Sequence, residues 1–321
     1  MVETTIGALS LLVHVPKDRI RKGMFIELVE CPHSEFGKRR FLLTSDRDQK
    51  AIAATSAERV LVNTALGLDQ NGRPVPGAST KSELARIERV QEKVETATVE
   101  LRGNLDAIGA GERPDFDKLA PLVQSMANVW HATPTVALEM TRLKSKDEGT
   151  YVHSLAVATM MTQLADASGL DDETATLLGV AGLLHDIGKL QIPSDILNKP
   201  GRLTDEERQI IRDHPENGFQ LLSQYGEIPP LVLDICRLHH EVLDGSGYPL
   251  GLKASQLTLP VRISTVCDVF EALTSARPYK AGWPVEQALD WMFERPQLFD
   301  RKLVVRLGGL LMPHAQESRY N

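Results

Sequence analysis

Up to Asp69 the chain alternates short apolar and polar runs, and from Ser79 onward the apolar positions recur at helical spacing. The early alternation predicts strands over 9–15, 24–29, 40–43 and 60–62, with a helix over 46–57 between the last two. This describes a small α+β unit. Asn71-Gly72-Arg73-Pro74-Val75-Pro76-Gly77 then gathers turn formers and helix breakers, which predicts a linker. Beyond it Ser82 is a candidate N-cap, and Leu84, Ile87, Val94, Leu101 and Leu105 fall on one heptad-like seam interrupted by Gln91 and Thr98. Two readings of that seam stand side by side: a coiled coil that makes a homodimer through the 82–105 helix, or one amphipathic helix lying on its own domain. After breakers at 109–114, helices are expected over 117–129, 135–143, 150–167, 172–184, 205–224, 231–240, 254–275, 284–293 and 301–311, which together make a helical bundle. The resulting division is a small α+β domain over 1–72, a linker with connecting helices over 73–134, and a helical domain over 135–321; the fold class is mainly α.

Composition narrows the function. A chain of 321 residues with 42% apolar residues is long enough for two domains with cores of their own. The net charge of -7 argues against a protein that coats a nucleic-acid polymer or an anionic membrane, since both need a broad excess of Lys and Arg. A small anion is still allowed, because a few local cations suffice. Cys31, Cys236 and Cys267 are odd in number and lack a Cys-x-x-Cys spacing, so they read as reduced thiols. The apolar stretch at 8–15 contains His14 and has no basic leader, which predicts neither a membrane span nor a signal peptide. The expected location is the cytoplasm.

The candidate chemistry lies in the histidines. Of nine, His153, His185, His214, His239 and His240 sit close to helix ends or apolar stretches of the helical domain. His185-Asp186 closes the apolar run 177–184 and is followed by Ile187-Gly188-Lys189, while Asp268 sits among Val266, Cys267, Val269 and Phe270. Neighbouring helical residues diverge by about 100°, so an adjacent imidazole and carboxylate can splay around a centre, with the carboxylate bridging two metals. A buried carboxylate also needs a cation or a hydrogen-bonding network. Imidazole with carboxylate suits Fe, Mn, Zn or Ni. His14, His33, His131 and His314 are read as structural or exposed.

His185-Asp186-Ile187-Gly188-Lys189, His239-His240-Glu241 and Asp244-Gly245-Ser246-Gly247-Tyr248-Pro249 resemble the HD-GYP family, a branch of the HD phosphohydrolases that degrades cyclic di-GMP. Asp268-Val269-Phe270-Glu271-Ala272-Leu273 and Arg277-Pro278-Tyr279-Lys280 extend the resemblance, which covers about 135–311. Residues 18–69, with Lys22-Gly23-Met24-Phe25, more weakly resemble an amino-terminal accessory domain of unknown role. The resemblance implies an HD-type helical catalytic domain with two divalent ions, Fe or Mn foremost and Zn or Ni as alternatives. His153, His185, Asp186 and Asp268 would hold one ion and Asp186, His214, His239 and His240 the other, with Asp186 bridging. It also implies that Lys189 stands near the scissile phosphate, Arg277 and Lys280 on the phosphates, and Tyr248 beside the ligand. Asp186 and Lys189 are thus the candidate catalytic pair.

The expected reaction is hydrolysis of cyclic di-GMP to linear pGpG, with further cleavage to GMP open. Two alternatives are another cyclic dinucleotide such as cyclic GMP-AMP, and a low-turnover cyclic di-GMP receptor acting through signalling partners. Glu271 stands where many members of the family carry Asp, and Cys267 directly precedes Asp268. Some members add a third metal through a glutamate one turn before the residue matching His153; Gly149 occupies that position here, which implies two metals.

Overall fold

The computed structural model describes residues 12–32, 34–38, 41–64, 66–69, 71–73, 81–132, 149–197, 199, 201–275 and 282–312, with backbone alone at 12, 81–88, 131–132 and 149. The described residues form two compact units, one ending at Glu95 and the other beginning at Thr96. The chain is mainly helical, with a small sheet in its first unit.

That sheet contains β1 (Leu12–Pro16), β2 (Phe25–Val29), β3 (Phe41–Leu42) and β4 (Arg59–Asn63) in the order β1-β4-β2-β3, every pair antiparallel. Its interior is made by Val15, Ile26, Phe41, Val60 and Val62 of the strands, with Met24 before β2 and Ile52 of the helix that follows β3. Helix α1 (Asp46–Ala53) starts at Ser45, whose side chain accepts the Asp48 N–H. It stops short of the expected residue 57 because Thr55 bonds back to the Ile52 carbonyl and the Ser56 N–H is taken by Glu35, both of which compete with helical bonding.

The boundary between the units falls inside α2 (Lys81–Gly109). Ser82 lies within this helix and is therefore not its N-cap. Along the apolar seam Val94, Leu101 and Leu105 are buried within the single chain, together with the interrupting Gln91 and Thr98. Gln91 is not a flaw in the pattern, since its Oε1 accepts the Leu42 N–H. These positions fit the amphipathic-helix reading; the side chains of Leu84 and Ile87 lie outside the described residues.

The second unit continues with α3 (Phe116–Ala132), α4 (Gly149–Ala167), α5 (Asp172–Leu184), α6 (Ser194–Leu197), α7 (Asp205–Arg212), α8 (His214–Ser223), α9 (Pro230–Leu238), α10 (Leu259–Thr274), α11 (Val285–Phe293) and α12 (Arg301–Leu311). The antiparallel pair α4 and α5 forms its centre, closely approached because Gly182 has no Cβ; one there would lie 2.6 Å from Ala158 Cα. The helix expected over 205–224 is broken at Asp213 into α7 and α8. Pro215 explains the break, having no N–H for the continuing ladder and a ring that crowds the turn before it. Likewise the segment expected as one helix over 254–275 is a 3-10 turn, Ala254–Gln256, followed by α10 with Pro260 in its first turn. The helix expected over 135–143 lies outside the described residues. Among the described residues no helix is long and apolar enough to cross a membrane.

Candidate metal centre

Helix ends deliver most of the candidate ligands. His185 caps the C-terminus of α5, Asp186 opens the 3-10 turn Ile187–Gln191, His214 begins α8, and His239 caps α9 with His240 next to it. His153 and Asp268 project from within α4 and α10. Gly188 brings two of these segments together, because a Cβ there would lie 2.0 Å from the His214 carbonyl oxygen. The seven residues converge on one buried space, in which only His240 keeps appreciable side-chain exposure, at 23%.

Asp186 divides that space. Its Oδ2 faces His153 Nε2 and His185 Nε2, each at 3.5 Å, and its Oδ1 faces His214 Nε2 at 3.1 Å and His239 Nε2 at 3.9 Å. Asp268 lies across from it, with Oδ1 3.2 Å from His153 Nε2 and Oδ2 3.6 Å from His240 Nδ1. Two ligand sets result, His153 with His185 and Asp268, and His214 with His239 and His240; within each, the ligand atoms lie within 4.8 Å of one another. His185, Asp186 and His239 form a third such group that joins them.

Tautomers follow from the outer contacts. His185 Nδ1 donates to the Gly182 carbonyl at 2.8 Å, His214 Nδ1 to Ile211 at 2.7 Å, and His239 Nδ1 to Cys236 at 3.0 Å. A carbonyl only accepts, so each imidazole turns an unprotonated Nε2 inward. Two inward pairs, His153 with His185 and His214 with His239, then stand 3.2 Å apart. Lone pairs at that separation repel unless a cation lies between them. Asp186 Oδ1 is buried and lacks a hydrogen-bond donor, the same requirement in another form. This donor set therefore fits divalent metal ions.

The electrostatics agree with ligation. Burial pushes His185, His239 and His240 down, His240 to about 4, so these rings are neutral and able to coordinate at neutral pH. Burial opposes ionisation of Asp186, but Lys189, His185 and His214 outweigh it and hold the carboxyl well below the usual range. Asp268 behaves alike: burial opposes its ionisation, and the facing His153, then His240, hold its carboxyl well below the usual range. Cys267 is buried and its thiol is pushed up by burial and by Asp268, so it stays protonated beside the centre.

Lys189 Nζ lies 2.5 Å from Asp186 Oδ2. The Tyr248 ring stacks on His240, centroids 4.7 Å apart and planes 29° from parallel, and burial raises its pKa, so it remains a phenol. Arg277, Lys280 and the side chain of His131 lie outside the described residues.

Three residues beyond the expected set surround the centre. Glu271 Oε2 meets His153 Nδ1 at 2.5 Å and its other oxygen accepts from Ser275 Oγ, which fixes the His153 ring with Nε2 inward. Its signal in the sequence was the one that singled out Asp268, an acid on the apolar helix 259–274. Glu241 is fully buried, and its carboxylate accepts the N–H groups of Leu250, Gly251 and Leu252 at 2.6, 3.0 and 3.0 Å, tying down the loop that carries Tyr248. Arg212 places its guanidinium carbon 4.3 Å from the Tyr248 ring centroid. Nothing in the sequence separates it from its neighbour Arg208.

Comparison with known proteins agrees with this picture. A family model described as HD domain matches residues 132–303. A curated cyclic di-GMP phosphodiesterase of Pseudomonas aeruginosa is 35% identical over 308 residues, covering 90% of this chain and 74% of that protein. The 3'3'-cGAMP-specific phosphodiesterase 1 of Vibrio cholerae is 40% identical over 149 residues, covering 46% of this chain and 34% of that protein. A solved structure of an HDG"Y"P protein from Bdellovibrio bacteriovorus shares the fold with a TM-score of 0.58 at 16% identity, over 94% of this chain and 99% of that one.

Proposed function

The chain belongs to the HD-domain family, in its HD-GYP branch, and from that premise we propose that it is a metal-dependent phosphodiesterase that hydrolyses cyclic di-GMP to linear pGpG. One observation carries the reading: two sets of imidazole and carboxylate ligands face each other across Asp186, each of whose oxygens serves one set.

Two divalent ions, Fe or Mn, with Zn or Ni fitting the same donors, would be held by His153, His185, Asp186 and Asp268 on one side and by Asp186, His214, His239 and His240 on the other. When bound, such a pair activates water at neutral pH and offsets charge developing on the phosphate and the departing oxygen. The protein's own groups do the rest. Lys189, already at the edge of the centre, presents its ammonium to the scissile phosphate and can give a proton to the leaving 3' oxygen. Tyr248, kept as a phenol, offers a donor beside His240. Arg277 and Lys280 would bind the phosphates. Cleavage of pGpG to GMP would use the same centre. The three free thiols accord with action in the cytoplasm.

Cyclic GMP-AMP is the second substrate to weigh, because the Vibrio cholerae relative specific for it is 40% identical over 149 residues. A receptor with little turnover is disfavoured by a complete ligand set. The test is anaerobic purification, metal loading, and chromatography of products from cyclic di-GMP, cyclic GMP-AMP and cyclic di-AMP. We expect pGpG from cyclic di-GMP as the fastest reaction, and a chain that binds these ligands without cleaving any of them would contradict the proposal.

A further inference from the structure

We propose that Arg212 is a substrate-binding residue that holds a phosphate of the bound cyclic dinucleotide at the mouth of the metal centre, an inference that rests on the function proposed above. Arg212 is the last residue of α7, two positions before the ligand His214. It is exposed, yet not free to wander, because its guanidinium lies 4.3 Å from the centroid of Tyr248. Tyr248 in turn stacks at 4.7 Å on the ligand His240, and its loop is tied to the buried Glu241 carboxylate. The cation is thereby fixed relative to the metal ligands by two ring contacts.

Its charge is also available. The neighbouring carboxylates are engaged elsewhere: Asp213 accepts from Gln209, Glu216 from Arg237 and Gln220, and Asp205 from Arg208. Among the described residues Arg212 makes no ion pair. Nor do its guanidinium N–H donors make a hydrogen bond among the described residues, and those donors match the paired oxygens of a phosphate. A charge-assisted contact made by a pre-positioned side chain costs little ordering on binding, so it contributes to affinity.

The test compares Arg212→Gln and Arg212→Lys with the unaltered full-length chain, all metal-loaded, in steady-state kinetics on cyclic di-GMP at several KCl concentrations. The Gln variant should raise KM about tenfold or more while kcat changes by less than about threefold. Metal content and melting temperature should be unchanged, KM should depend less on salt than in the parent, and Lys should restore part of the affinity. An unchanged KM in the Gln variant of an active parent overturns this assignment alone. A fall in kcat together with loss of metal also overturns it, because Arg212 would then act by supporting Tyr248 and His240. A parent that neither binds nor cleaves any cyclic dinucleotide overturns the functional reading and this assignment with it.

Discussion

The two units bury opposite kinds of material. Up to Glu95 the core is aliphatic and aromatic, built from Val15, Ile20, Met24, Ile26, Phe41, Ile52, Val60 and Val62, and the buried polar residues described there, Thr55, Thr64 and Gln91, carry no charge. From Thr96 onward the core surrounds five imidazoles and the carboxylates of Asp186, Asp268, Glu241 and Glu271. The first unit is held by burial of apolar area, a contribution insensitive to ions and only weakly sensitive to pH. Facing lone pairs and an orphaned carboxylate oxygen make the centre of the second suited to hold cations.

The largest effect should come from Asp186→Ala, which removes the one carboxylate shared by both ligand sets. Turnover is expected to fall about a thousandfold or more and bound metal to be lost, while the α4 and α5 packing survives. Metal analysis and product chromatography check this, and full metal occupancy in the variant would refute the bridging role.

A cavity in the apolar unit should act on stability alone. Ile52→Ala is expected to destabilise that unit by about 2–5 kcal/mol, without lowering the metal content of folded protein. Hydrogen exchange up to Glu95, set beside metal analysis, reads both quantities. Metal loss in this variant would erase the contrast between the units.

Glu271→Gln probes the centre from outside its ligands. Without the carboxylate opposite Nδ1, His153 loses its fixed orientation, and metal affinity should fall by about ten- to a hundredfold. Competition with a graded series of chelators measures it, and an unchanged affinity would leave Glu271 a packing residue.

The smallest effect is on pH dependence. His185, His239 and His240 have lowered pKa values in the folded chain, His240 at about 4, so below about 6.5 the unfolded state binds more protons. Stability of the metal-free helical unit is thus full above the unfolded value and lost as pH falls below it. Asp186 and Asp268 act in the same direction at lower pH, their contribution being present above the unfolded carboxyl value and lost as pH falls toward their depressed ones. Urea midpoints of chelated protein across pH 4 to 7 measure the trend. A flat profile would mean that the cluster is not buried as described.

Much of this was legible in the sequence because its signals are local. Helices Asp172–Leu184 and Arg301–Leu311 follow from periodicity, with Asp171 and Asp300 as caps whose side chains accept the Thr174 and Lys302 N–H groups. The seven metal-ligand candidates stood out because histidines and acids at helix ends have no shared structural need. What escaped was decided by tertiary contact. Glu271 acquires its role from His153, 118 residues away, and Arg212 from the ring of Tyr248, so neither is marked by its own neighbours. The break at Asp213 was readable from Pro215 but is masked by apolar spacing that runs on through it.

Anomalous diffraction from crystals of anaerobically purified protein, collected at the absorption edge of the metal found in solution, tests the central claim most directly. The account predicts two peaks, one among His153, His185 and Asp268 and one among His214, His239 and His240, each in contact with a different oxygen of Asp186. One peak, a third tightly held ion, or peaks away from Asp186 would contradict it.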